Sequence, residues 1–441
     1  MRRGEGPDLT RSRMFASPAP VIRRNRQLLF AHVSDVRRRI RLDQCLCGEP
    51  VTRTPLLKHL TPNAQAADSA SLARHFGSGD GLLPLWIAEP YLDLAPGINA
   101  ALEARARHAW YGYETRPAAL ADGFWAWMSD RHSWTPTGLR TFVSPSVGTS
   151  IAVLIEQLTR AGDGVVLQPP VYTDFKPLVT SAERDVVRNS LQFTDDGYRI
   201  DLGDLENKAA SPTTTALILC NPHNPVGRVW TTSELTDVAM ICARHGVFVI
   251  ADEIHADLTS SPHSFTPFAT VAATSGVGWA ALHGPIKTFG LAGVCDTLVV
   301  TDSDDVADLF EKRSSRLHLT RNNVFGITAF EAAYSTGGPW VDRLLALIQA
   351  NVELLRHQLP EDIFLVDVEG TYLAWLDFRR LGMDAPTLAD WLADSARLGL
   401  SPGHWFGREG AGFARMTIAA PTEVIQEAID RLHRALASVR P

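Results

Sequence analysis

Short apolar runs that alternate with helical stretches are the feature of this sequence that most limits its fold. Five such runs, each bounded by turn residues, lie at positions 164–167, 216–220, 247–251, 279–282 and 298–300. Stretches with helical character, such as 232–245 and 303–315, separate most of them. Strands that are apolar on both faces and are joined through helices form mostly parallel, buried sheets. The pattern therefore predicts an α/β fold.

The pattern changes after about residue 320, where long helices and isolated strands replace the alternation. Helices are predicted at 341–359, 386–398 and 421–439, and two strands within 364–378. Residues 1–80 are predicted to be irregular, with clusters of Pro, Ser and Gly. We predict four segments: a basic extension (1–70), the first part of a small domain (71–110), a large domain (111–324) and the rest of the small domain (325–441).

Composition excludes several classes of protein. No apolar run reaches the ~18 residues of a membrane span, so no membrane association is expected. The five cysteines are odd in number and form no C-x-x-C pair, which favours free thiols in the cytoplasm over disulfides or structural zinc. The net charge is −7, yet residues 1–60 are basic. A transit peptide or a nucleic-acid arm would also be basic. Because no aromatic residues interleave with the arginines, we favour a solvated or subunit-bridging extension and no nucleic-acid partner.

Three loops at predicted strand ends carry residues suited to chemistry. They begin at Asn221-Pro222-His223-Asn224, at Asp252-Glu253-Ile254-His255 and at Lys287-Thr288-Phe289. Such loops meet at the carboxyl edge of a parallel sheet. A lysine near apolar walls is a Schiff-base nucleophile, and a buried carboxylate needs a cation. An amide, a carboxylate and a lysine together are what pyridoxal 5'-phosphate needs.

The order N-P-H-N-P-x-G, D-E-I-H, K-T-F resembles the class I/II aminotransferase superfamily of fold type I. It looks most like the branch of cystathionine β-lyase-like C–S lyases, over roughly residues 83–435. Further motifs of the family stand in order at 83–89, 111–113, 169–172, 369–375, 406–407 and 413–415. The resemblance implies a large domain, whose mostly parallel central sheet is sandwiched by helices, and a smaller α+β domain.

The resemblance also implies roles around the cofactor ring. Lys287 would bind the aldehyde of pyridoxal 5'-phosphate and later move the substrate's α-proton. Asp252 would pair with the pyridinium nitrogen, and Asn224 would bond the ring hydroxyl. Tyr172 would stack on the ring face, and His255 is a weaker candidate that is as compatible with a structural role.

A second group would hold the phosphate. The residues Gly148, Thr149 and Ser150 open a predicted helix and would offer amides and a hydroxyl to the anion. Ordinary helix capping explains the same residues equally well. Tyr113 would be a catalytic residue that reaches the phosphate of the neighbouring subunit, so the resemblance implies a homodimer with sites at the subunit interface.

A third group would bind the substrate. Arg415 would hold the α-carboxylate of an amino acid in a bidentate fork. Trp86 and Glu89 belong to the altered substrate rim, where residues 86–91 depart from the family's W-V-A-(D/E)-M-D. The other departures are near the lysine: Gly284 replaces a phosphate-binding Ser or Thr, Ile286 a small polar residue, and Gly290 an Asn. His283 is a candidate replacement for the hydroxyl missing at 284.

These roles predict β-elimination of an S-substituted cysteine, such as cystathionine, to a thiol, pyruvate and ammonia. Decarboxylation-coupled oxidative deamination of a cysteine S-conjugate in antibiotic biosynthesis, as for lincosamides, is an alternative, and so is transamination. A non-enzymatic alternative is a cofactor-binding regulator. It is disfavoured because only one candidate DNA-binding helix, near residues 28–42, is found where two are needed.

Overall fold

The computed structural model describes residues 60–61, 64–77, 81–117, 119–319 and 323–438. The strands within these ranges are β1 (Leu83–Pro84), β2 (Arg140–Ser144), β3 (Gly164–Leu167), β4 (Asp185–Arg188), β5 (Gln192–Thr194), β6 (Gly197–Arg199), β7 (Thr214–Cys220), β8 (Phe248–Asp252), β9 (Trp279–His283), β10 (Thr297–Thr301), β11 (Phe364–Leu365), β12 (Leu373–Asp377), β13 (Leu398–Gly399), β14 (Ser401–Pro402) and β15 (Phe413–Thr417). The α-helices there are α1 (Ser69–Phe76), α2 (Pro96–Arg107), α3 (Leu120–His132), α4 (Val147–Leu158), α5 (Phe175–Ser181), α6 (Leu202–Ala209), α7 (Thr232–His245), α8 (Phe268–Ser275), α9 (Ile286–Phe289), α10 (Asp304–Arg316), α11 (Val324–Thr336), α12 (Gly338–Gln358), α13 (Ala385–Asp390) and α14 (Thr422–Ala437).

The five apolar runs predicted as strands all lie in one central sheet of seven strands. Its order is β2-β10-β9-β8-β7-β3-β4, and every neighbouring pair is parallel except the two that involve β10. The predicted mostly parallel α/β sheet is therefore confirmed. Because β10 runs the opposite way, its first residue lies at the edge where the parallel strands end.

Helices cover both faces of this sheet, since its strands are apolar on both sides. On β7, Ala216 and Ile218 pack with α4, α5 and α10, whereas Leu217 and Leu219 pack with α3, α7, α8 and α11. Successive residues of a strand point to opposite faces. We call the two sides the α4 face and the α3 face. This alternation decides which side chains at the strand ends can meet.

A second, antiparallel sheet has the order β11-β12-β15-β14; helix α12 packs on β11 and helix α13 on β14, while α14 packs against α12. Its strands β12 and β15 are completely buried. Near the start of the described chain, β1 pairs in parallel with β13. This second α+β layer agrees with the smaller domain that the resemblance implied, whereas the exact domain boundaries stay predictions.

Three predictions about local structure need correction. Helix α1 forms inside the stretch predicted to be irregular, and its first turn is capped by the Asp68 side chain. Helix α11 was not predicted, because it is apolar on most of its surface and shows no amphipathic period. The helix predicted at 386–398 ends earlier: α13 passes into a short π-helical turn at Trp391–Ser395, and Leu398 already belongs to β13.

Two further searches concern only the described ranges. There, we find no helix that is both long enough and apolar enough to cross a bilayer. Nor do the described histidines, cysteines and carboxylates gather in groups that could hold a metal ion. The basic extension at 1–70 and the candidate helix near 28–42 lie outside the described residues, apart from the last few positions of the extension.

Candidate active site

Strand ends place the predicted site residues at one edge of the central sheet. Asp252 is the last residue of β8, and it is in register with Cys220 at the end of β7 and with Leu282 on β9. The loop after β7 carries Asn224, and α9 carries Lys287 four residues after β9 ends. Since Cys220 and Leu282 face α4, so does Asp252. The three predicted loops therefore meet on the α4 face.

Lys287 is held against the backbone of the segment that follows β1. Its Nζ donates a hydrogen bond to the carbonyl oxygen of Ala88 at 2.9 Å. Burial lowers the pKa of Lys287, and the positive charge of Arg415 lowers it further, while Asp252 and Glu89 act in the opposite direction. A lower pKa raises the fraction of neutral amine near neutral pH, which is the nucleophilic form.

Asp252 is an acid in an apolar environment, with only 5% of its surface exposed. Burial raises its pKa from 3.8 to about 6, although the Ile254 amide and the charge of Lys287 both work against this rise. The Ile254 amide donates to Asp252 Oδ1 at 3.2 Å. At neutral pH the group is thus a poorly solvated carboxylate, which a cationic ring nitrogen would stabilise.

Arg415 enters the same site from β15 of the second sheet, and it is 6% exposed. Its Nη1 donates to Asn224 Oδ1 at 2.9 Å, and its Nη2 donates to the Trp86 carbonyl at 2.7 Å and to Ser401 Oγ at 3.2 Å. Burial lowers its pKa to about 10. The Nε of Arg415 is buried and has no hydrogen-bond partner among the described residues, so the guanidinium keeps a donor for a ligand.

The first turn of α4 offers a site for an anion. Ser146 caps the helix, and its Oγ accepts the Thr149 amide at 3.1 Å and lies 2.9 Å from Thr149 Oγ1. The Ser150 hydroxyl donates to the Ser146 carbonyl at 3.1 Å. Helix N-termini attract negative charge through their unpaired amides and the helix dipole. Capping and phosphate binding by Gly148, Thr149 and Ser150 are therefore compatible.

The position of Gly284, where the resemblance implied a phosphate-binding hydroxyl, has little room for a side chain. A Cβ atom at this position would lie 3.2 Å from Thr297 Cα and 3.3 Å from Thr297 Cγ2. These contacts are tight, because the turn after β9 passes directly over the start of β10. A side chain at 284 would have to displace the Thr297 backbone or side chain.

Other predicted residues lie around this group. Tyr172 is half-buried and its hydroxyl donates to Asp174 Oδ2 at 2.8 Å. His255 is buried with its Nδ1 unpartnered among the described residues, and its ring stands edge-on to Tyr372. Burial holds the pKa of His255 well below its usual range, and Lys287 and Arg415 lower it further, so the ring is neutral. Burial likewise raises the pKa of Glu89.

Three predicted residues do not join the group through their side chains. His283 points to the α3 face, where its Nε2 lies 3.0 Å from Glu253 Oε2 and its ring packs near Phe124. Strand alternation therefore puts it on the side away from α4, and the idea that it replaces the lost phosphate hydroxyl is not supported. Trp86 contributes its carbonyl, whereas its indole nitrogen donates to Ala66. Tyr113 is 88% exposed.

Two tyrosines in the site were not singled out from the sequence. Tyr372 is completely buried and its hydroxyl donates to the Ala88 carbonyl at 3.1 Å, the same oxygen that accepts from Lys287. Tyr91 is buried, and no described group pairs with its hydroxyl. Both lie in segments that the sequence analysis identified, at 369–375 and 86–91. The sequence therefore placed these tyrosines near the site, but it did not indicate what they contact.

Comparisons with known proteins agree with this geometry. The aminotransferase class I and II family matches residues 90–432. The chain is 35% identical to cystathionine beta-lyase PatB of Bacillus subtilis (strain 168) over 370 residues, which is 82% of this chain and 94% of PatB. It is 33% identical to protein MalY of Escherichia coli (strain K12) over 380 residues, 84% of this chain and 95% of MalY.

A solved structure has a similar fold. Cystalysin from Treponema denticola, whose crystal structure contains pyridoxal 5'-phosphate, is similar with a TM-score of 0.81 and 27% identity, covering 87% of this chain and 98% of cystalysin. The chain belongs to the aminotransferase class I and II family. The family and the fold predicted from the motifs are confirmed.

The raised pKa of Asp252 makes a prediction for the cofactor-free protein. An acid whose pKa is higher in the folded than in the unfolded state costs stability as the pH rises through that interval. From 3.8 to about 6, this cost amounts to about 2–3 kcal/mol above pH 6. Asp252→Asn should therefore be more stable than the wild type at pH 8 and lose that advantage near pH 4, as measured by urea denaturation.

The exposed carboxylate Asp308 on α10, beyond the first turn of the helix, provides the control for this measurement. Asp308→Asn should change the free energy of unfolding by less than about 0.5 kcal/mol at both pH values. An Asp252→Asn protein whose stability relative to the wild type is the same at pH 4 and pH 8 would contradict the assignment of a strained, ionised carboxylate.

Proposed function

We propose that this protein is a pyridoxal 5'-phosphate-dependent C–S β-lyase that converts an S-substituted cysteine to a thiol, pyruvate and ammonia. The observation that carries the proposal is the half-buried Lys287, whose pKa is lowered, beside Asp252 and Arg415, in a chain whose curated relatives include a cystathionine beta-lyase at 35% identity. An amine, an acid and a guanidinium are thus gathered at one sheet edge.

The residues present fit the cofactor. Two buried nitrogen atoms, Arg415 Nε and His255 Nδ1, have no partner among the described residues, and the charges of Lys287 and Arg415 both act on His255. Lys287 would hold the aldehyde, Asp252 the ring nitrogen and Asn224 the ring hydroxyl, while the amides at the start of α4 would hold the phosphate. When bound, pyridoxal 5'-phosphate supplies a carbonyl for covalent attachment and a ring that accepts electrons.

Three residues of the chain then have separate roles in the reaction. Arg415 binds the α-carboxylate of the substrate and so orients its Cα–H bond. Lys287, once its amine is free, takes the α-proton and can carry it. Asp252 remains ionised and favours the protonated ring nitrogen. General-base catalysis of this kind contributes about 10²–10⁴-fold, and alignment in the closed site contributes further.

The rim of the site belongs to the segment after β1. The Ala88 carbonyl accepts from Lys287 and Tyr372, and Glu89 lies near enough to Lys287 to affect its pKa. Pro90 and Tyr91 occupy positions at which the sequence departs from the family's W-V-A-(D/E)-M-D, directly after Glu89, which matches it. These residues are therefore where we expect the choice of sulfur substituent to be made.

A product assay tests the proposed reaction. With cystathionine or S-alkylcysteines and added cofactor, we expect thiol, pyruvate and ammonia in equal amounts, read by mass spectrometry. Lys287→Ala should lower kcat by about 10²–10⁴-fold, because it loses the base. Lys312→Ala, which changes an exposed lysine on α10, should stay close to the wild type. An aldehyde product would indicate oxidative deamination, and a keto acid that keeps its sulfur would indicate transamination; either would refute the lyase proposal.

We also propose a homodimer in which Tyr113 serves the neighbouring site. This proposal is supported by the exposure of three aromatic residues on one short segment: Trp110 is 53%, Tyr111 54% and Tyr113 88% exposed. Contiguous exposed aromatic surface is typical of interaction sites.

The cytoplasmic location also stays a proposal, supported by free thiols at the described Cys220, Cys242 and Cys295.

Mixing two inactive variants tests the shared site. If Tyr113 acts across the interface, a heterodimer of Tyr113→Ala and Lys287→Ala has one site with both changes and one intact site. Random exchange of subunits should then restore about a quarter of the wild-type activity. Activity that stays at the level of the separate variants after subunit exchange, verified by mass, would contradict the proposal.

A further inference from the structure

A buried carboxylate on the α3 face contacts the short helix that carries Lys287. Asp257 Oδ1 accepts from the Trp127 indole nitrogen at 2.7 Å and lies 2.9 Å from His132 Nε2. Asp257 Oδ2 accepts from the Thr288 hydroxyl at 2.9 Å. Asp257 is 8% exposed and Thr288 is completely buried, so water does not compete for these bonds.

The helix that this carboxylate contacts cannot set its own orientation. Helix α9 has four residues, Ile286–Phe289, and ends at Gly290 with a left-handed φ of 71°. An isolated turn of helix is unstable, so its orientation depends on contacts with its surroundings. The Thr288 hydroxyl is one such contact, and it belongs to the residue directly after Lys287. Phe289 gives another by packing against Trp127 on α3.

Asp257 also belongs to the same loop region as Asp252, the acid of the site. It lies five residues after Asp252, on the loop that follows β8. Its partners Trp127 and His132 are on α3, so one carboxylate connects the Asp252 loop, α3 and α9. Burial alone would raise the pKa of Asp257, but the bonds from His132, Trp127 and Thr288 lower it below its ordinary value overall. These bonds are thus to a carboxylate and are strong.

We propose that Asp257, acting through the Thr288 hydroxyl, is a positioning residue that fixes Lys287 relative to Asp252 and Arg415. The inference rests on the proposed function, because it concerns the placement of the amine in that reaction. Asp257 touches neither substrate nor cofactor in this account. It acts on the far side of α9, and its loss should affect the direction and distance of the lysine rather than the amount of charge beside it.

The test changes Thr288. Without the Thr288 hydroxyl, the Asp257 carboxylate keeps two of its three hydrogen-bond partners. Thr288→Val keeps the shape and loses the hydrogen bond, whereas Thr288→Ser keeps the hydroxyl. Thr301→Val is the control: the Thr301 hydroxyl donates to the Trp279 carbonyl at 2.8 Å, accepts from the Ser303 amide at 3.2 Å and is equally buried, at the end of β10 away from the site. All four proteins, including the wild type, are studied with the cofactor bound.

Two readouts separate positioning from general stability. Thr288→Val should lower kcat about 10-fold with KM within about 2-fold, because small misplacements of a reacting group reduce rate more than binding. It should also shift the pH midpoint of the absorbance of the lysine-bound cofactor by about half a unit. Arg415 lowers the pKa of Lys287, whereas Asp252, Glu89 and Asp174 raise it, so a displaced Lys287 nitrogen would experience a different balance of these charges. Thr288→Ser and Thr301→Val should stay within about 2-fold and 0.1 unit of the wild type.

The outcomes are distinct from those that concern the proposed function. A wild type that binds no cofactor would overturn the proposed function and this proposal with it. Thr288→Val equal to Thr301→Val in both kcat and absorbance midpoint would overturn the proposal while leaving the function intact. Asp257→Asn gives a second comparison, because its amide cannot accept all three bonds; if it folds and binds cofactor, an unshifted midpoint would likewise overturn the proposal.

Discussion

The structure depends on gathering three charged side chains at one edge of the central sheet, where Asp252 and Arg415 are buried and Lys287 is half-buried. Lys287 and Arg415 both have lowered pKa values and Asp252 a raised one, in each case with burial as the largest cause. Such groups are costly unless each meets an opposite charge or a ligand. Here the two cations and the acid partly compensate one another. The remaining cost is what a bound cofactor and a substrate carboxylate would relieve.

The two sheets hold this arrangement from opposite sides. The central sheet supplies Asp252 at the end of β8 and Lys287 on α9, which follows the adjacent parallel strand β9, and the antiparallel sheet supplies Arg415 from a fully buried strand. The guanidinium then links the sheets through Asn224 and the Trp86 carbonyl. Because each contact joins segments distant in sequence, a shift of either sheet would separate the charges. The chemistry and the packing of this protein therefore depend on the same contacts.

Much of this arrangement could be predicted from the sequence, because the carboxyl ends of parallel strands all lie at the same edge of the sheet. The apolar runs identified the central strands, and the loops after them identified Asn224, Asp252 and Lys287. Side-chain direction was harder: His283 was expected near the phosphate, but strand alternation turns it to the α3 face beside Glu253. The contacts of Asp257 and Tyr372 were not foreseen, since they arise between residues that are far apart in the chain.

The most direct test of the account is to find which lysine binds the cofactor. The protein is incubated with pyridoxal 5'-phosphate and reduced with borohydride, and the peptides are then analysed by mass spectrometry. We expect one modified peptide, the one that contains Lys287, and no label on it in Lys287→Ala. Label spread evenly over the exposed lysines, or no label after reduction, would contradict the central claim.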